Sequence, residues 1–70
     1  MESSRGVSEL RDVAMASCVD EYVDGAIYRW LSKAPYLSRL SREVLLEMAS
    51  HEERHYRFWS SVSGGCGVRF

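Results

Sequence analysis

Apolar residues at positions 44, 45, 48, 49, 56, 59 and 62 recur in three- and four-residue steps, with no Gly or Pro among them. That spacing predicts a helix with one buried face. At about 100° per residue the apolar arc runs from Phe58 through Val44, Met48, Trp59 and Leu45 to Ala49. Glu52 and His55 project from within this arc, whereas Glu47, Glu53, Arg54 and Arg57 project into water. The N-terminal half reads as a second long helix, starting at Val7 to Glu9 and running to Lys33, because no Pro interrupts it. Its one internal glycine, Gly25, costs about 1 kcal/mol against Ala and permits close approach of a neighbouring backbone. This helix is apolar on two sides, with Met15, Val19, Val23, Ala26 and Trp30 on one and Leu10, Ala14, Glu21 and Tyr28 on the other. Such a helix is expected to have more than one neighbour.

Ala34-Pro35-Tyr36-Leu37-Ser38 breaks the pattern, since Pro35 disfavours helix at Ala34. Ser38 or Ser41 is placed to cap the second helix, which is carried to about Ser61 and stopped by Ser63-Gly64-Gly65. The expected fold is therefore all-α, an antiparallel helical hairpin over residues 8–62. Residues 1–7 read as a flexible N-terminus and residues 63–70 as a Gly-rich tail or cut linker.

With the turn near residue 36, residues at equal distance on either side face each other, which sets Glu21 opposite Glu52. At 1.5 Å per residue both stand roughly 18 to 20 Å from the helix ends that flank the turn. His55, three residues from Glu52, lies on the same face. Two carboxylates and an imidazole on apolar surfaces need partners, because an unpaired ionised group out of water costs several kcal/mol. One ion held by all three meets that need. The alternatives are a hydrogen-bonded Glu52–His55 pair, or residues that face solvent. His51, at the edge of the arc beside charged neighbours, reads as a solvated helix histidine.

Nine Lys and Arg against ten Asp and Glu leave no basic face for nucleic acid. No apolar run approaches the roughly 20 residues that cross a bilayer, so no membrane span is expected. No secretory signal is evident, and a cytoplasmic location, or the cytosolic face of a membrane, is the default. Cys18 reads as a small buried hydrophobe and Cys66 as a thiol in a flexible Gly-Gly-Cys-Gly stretch. The two do not suggest a disulfide framework or a cysteine metal pair.

Glu21, Tyr28 seven residues on, a short turn, and then Glu52-x-x-His55 followed by Tyr56-Arg57-Phe58-Trp59 together resemble one half of a ferritin-like, rubrerythrin-type di-iron domain. The ending looks most like the rubrerythrin-like domain at the N-terminus of some vacuolar iron transporter family members. The resemblance implies Glu21 as a ligand, Glu52 as a bridging ligand, His55 as a nitrogen ligand and Tyr28 beside the ligands, with two irons per completed four-helix bundle. It implies an iron-dependent oxidoreductase of ferroxidase or peroxidase type, oxidising Fe(II) with O2 or peroxide. Because only half a bundle is present, the partner is a second copy in a homodimer or a second hairpin in a longer chain. The competing expectation is a metal-free hairpin for oligomerisation or adaptor contacts, using Trp30, Trp59 and the broad apolar surface.

Overall fold

Two long helices run antiparallel in a computed structural model that describes residues 2–69, with side-chain surroundings from residue 6 onward. Helix α1 spans Glu2–Leu31 and α2 spans Arg39–Ser63, so the chain is an all-α helical hairpin. The described residues form a rod of 55 × 16 × 12 Å. Helix α1 begins several residues before the expected Val7 to Glu9, because nothing in 2–6 breaks a helix and Gly6 alone weakens it without ending it. Helix α1 thus takes in residues 2–7; Met1 and Phe70 lie outside the described residues.

The connector is held by one arginine. Arg42 Nε donates to the Ser32 carbonyl at 2.8 Å, and its Nη2 donates to the Ala34 carbonyl at 3.2 Å. The Ser32 carbonyl lies past the end of the helix and the Ala34 carbonyl accepts only the Leu37 N–H at 3.3 Å from the backbone, and a charged donor satisfies both well. Ser38 is the N-cap of α2, its Oγ accepting from the Ser41 N–H at 3.1 Å. At the far end Gly64 is the C-cap with φ 81°, a left-handed conformation for which glycine carries no Cβ penalty. Helix α2 thus reaches two residues beyond the expected Ser61.

The packing seam is narrow and made of small residues. On α1 the buried or half-buried positions include Ala14, Cys18, Glu21, Gly25 and Tyr28, alternating in steps of four and three, and the stripe continues to Ser32 just past the helix. On α2 they include Leu45, Ala49, Glu52, Tyr56 and Ser63 in matching steps, so a single stripe of each helix meets the other. Among the described residues Ala14, Cys18 and Ala49 are the fully buried apolar ones. The other apolar side of α1 stays open: Met15, Val19, Val23 and Ile27 are exposed, and Trp30 is 73% exposed. On α2 the predicted arc is split, since one neighbouring helix covers only part of it. Ala49 is buried and Leu45 and Trp59 half-buried, while Val44, Met48 and Phe58 face solvent.

The cysteines correct a further expectation. Cys18 and Cys66 are joined in a disulfide across 48 residues, with Cα atoms 6.3 Å apart. Equal-level pairing puts Cys18 opposite residue 54 or 55, and a helix continued to residue 66 would overshoot by about 17 Å. The chain instead reverses after Ser63 through Gly64, Gly65 and Gly67, all at positive φ, and runs back along the hairpin. There the Tyr56 hydroxyl donates to the Val68 carbonyl.

Candidate metal centre

Glu21, Glu52 and His55 meet halfway along the hairpin, one from α1 and two from α2. Each offers a ligand atom within 4.8 Å of the others. The local reason is the seam spacing. Glu21 follows Cys18 by three residues and precedes Gly25 by four, so its side chain lies in the line of contact; Glu52 holds the corresponding place after Ala49. Glu21 is 22% exposed, and its Oε2 is buried without a hydrogen-bond partner. His55 Nδ1 stands 3.5 Å from that oxygen but does not hydrogen-bond to it.

His55 was expected inside the buried arc; in the hairpin it is 59% exposed, because α2 has a helix on only one side. Beside it an open groove of about 350 Å³ is lined by Val44, Glu47, Met48, His51, Glu52 and His55. The candidate ligands therefore sit at the boundary between the seam and an uncovered, largely apolar strip. His51 is solvated as expected, its Nε2 3.9 Å from Glu47 Oε1 on the same helix. Tyr28 is half-buried on the Glu21 stripe, and its hydroxyl does not bond Glu21 Oε2.

In chemical terms the site is two carboxylates and one imidazole, a donor set that suits iron, manganese or zinc. It leaves coordination positions open, unlike a closed structural site. The orphaned Glu21 oxygen fits a cation, since a buried acceptor with no donor carries a desolvation cost that a bound ion removes. No family model, curated protein or solved structure matches this chain. Any functional reading therefore rests on the side chains themselves.

A neighbouring ion network, absent from the sequence reading, fixes the register. Glu53, expected in water, receives Arg29 Nη2 at 2.9 Å on one oxygen and Arg57 Nη2 at 2.9 Å on the other. Because Arg29 belongs to α1 and Arg57 to α2, this carboxylate ties the helices together next to Glu52. Equal-level counting gives no signal for this pair, since it sets Arg29 opposite Val44 rather than Glu53. Tyr22 and Tyr56 pack on the same side, with ring centroids 6.5 Å apart. No helix among the described residues is long and apolar enough to cross a membrane.

Proposed function

We propose that this hairpin binds iron through Glu21, Glu52 and His55 and oxidises Fe(II) with O2 or peroxide, as the rubrerythrin-like pattern of these residues suggests. One observation carries the reading: three ligand atoms from two helices lie within 4.8 Å of one another, one of them a buried carboxylate oxygen with no other partner. A second hairpin, from another copy or from a longer chain, would cover the groove beside His55 and supply the remaining ligands of a two-iron bundle. Bound iron would supply the redox chemistry. The chain's own part is to hold the carboxylates and imidazole in place and, through Val44 and Met48, to exclude water once covered. In a transporter-like setting on the cytosolic side, the module would capture or oxidise iron beside a channel located elsewhere.

Native mass spectrometry after anaerobic Fe(II) loading tests this reading. The expected species is a dimer with two irons, lost in Glu52→Ala and His55→Ala. Unchanged iron content in both variants would overturn the assignment. A second reading, a metal-free interaction hairpin, is favoured by the outer face of α1, where Val19, Val23, Ile27 and Trp30 are exposed away from the candidate ligands. It predicts a stable assembly whose melting temperature ignores metal.

A further inference from the structure

The Cys18–Cys66 bond joins α1 to the returning tail one helical turn from Glu21, on the side of the site away from the connector. At the other end Arg42 ties Ser32 and Ala34, and midway Glu53 ties Arg29. The disulfide is the covalent tether on the side of the site away from the connector. It works through the tail: reversal at three left-handed glycines lays residues 66–68 against the hairpin, where Tyr56 also holds Val68. Cys18 is fully buried on the seam, whereas Cys66 is half-buried, so the bond is approached from the Cys66 side.

We propose that this disulfide is a redox gate on the metal site, holding α1 and α2 together at the level where Glu21 must meet Glu52 and His55. The inference rests on the metal-binding reading above. A dithiol reductant attacks at Cys66: its two S–H groups become one S–S bond, the Cys18–Cys66 bond breaks, and two electrons and two protons pass to the two cysteine sulfurs. The freed tail then swings on its glycines, and α1 and α2 part at Cys18.

With three fully buried apolar residues in the seam, the noncovalent opposition to that opening is small, chiefly the Arg29–Glu53 pair and the Tyr22–Tyr56 contact. Ring closure over a separation of 48 residues favours the closed form by a factor on the order of a thousand against a fully unfolded chain in the chain-entropy model, an upper bound for helices that part while still folded. A site whose ligands come from both helices binds only in the closed form, so its apparent affinity falls with the closed fraction. Disulfides persist in oxidising surroundings and are opened by cellular thiols in reducing ones, so the compartment's redox state would set metal uptake. By linkage, bound metal protects the disulfide from reduction.

The test uses Mn(II), a redox-silent ion with affinity for carboxylate and imidazole, titrated into oxidised wild type, reduced wild type and Cys66→Ser. Amide hydrogen exchange is followed in parallel. The expected result is at least tenfold weaker Mn(II) binding in both the reduced protein and Cys66→Ser, with faster exchange around residues 14–21 and 52–60. Equal affinity in all three forms overturns the gate and leaves the metal reading standing. Failure of the oxidised wild type itself to bind Mn(II) overturns the metal reading, and the gate with it. Using both the reduced protein and the serine variant separates the loss of the bond from any local effect of the substitution.

Discussion

Replacing Glu21 with leucine should stabilise the metal-free protein and abolish its response to metal, an opposite pair of effects that a purely structural glutamate does not produce. In wild type, Oε2 is buried without a hydrogen bond, and a buried unsatisfied polar group costs about 1–3 kcal/mol. The compensation from His55 is small. At 3.5 Å, with the imidazole 59% exposed, such a pair contributes at most about 1 kcal/mol. Leucine removes the orphaned acceptor and keeps comparable volume in the seam, for a net gain of about 1 kcal/mol. For a chain of this size that raises the melting temperature by roughly 4–8 °C. Metal at a hundredfold excess over its Kd should add about 2.7 kcal/mol to wild type and nothing to Glu21→Leu. The order of the two melting temperatures then reverses on adding Mn(II) or anaerobic Fe(II), as read by circular dichroism. A variant that melts below wild type without metal, beside a wild type that metal does not shift, would refute the reasoning.

Arg42→Ala should cost about 2 kcal/mol, since it strips two carbonyls at the connector of a charged donor; urea unfolding measures this, and an unchanged midpoint would show the connector holds without it. Ser38→Ala removes the Oγ that accepts from Ser41 N–H and should cost about 1 kcal/mol, while Ser38→Asp restores the cap; both are checked by the same unfolding curves.

The hairpin was legible because Pro35 interrupts two long helical patterns and Ser38 can cap the second. The meeting of Glu21 with Glu52 and His55 was legible because equal distance from a turn is a geometric rule indifferent to side-chain detail. Burial was not. Periodicity marks every apolar stripe alike, but α2 offers α1 one contact line, so Cys18 is buried while Val19 and Trp30 are exposed. His55 was misplaced for the same reason: it belongs to the apolar arc, but to the part that no helix covers. The disulfide was hidden because helical counting carries Cys66 away from Cys18. Only the backbone freedom of Gly64, Gly65 and Gly67 turns the chain back. Glu53 was assigned to water because a charge on a helix usually is solvated, and its cross-helix partner Arg29 lies 24 residues away in sequence.

The disulfide also makes residues 18 to 66 a covalent ring that contains the connector and both ligand-bearing stretches. A protease that cuts once within that ring, at exposed Lys33 for instance, opens the loop without dividing the molecule. The nicked protein is heavier by one water. Glu21 then lies on one piece and Glu52 with His55 on the other, still fastened beside each other, and the pieces separate only when a reductant opens Cys18–Cys66.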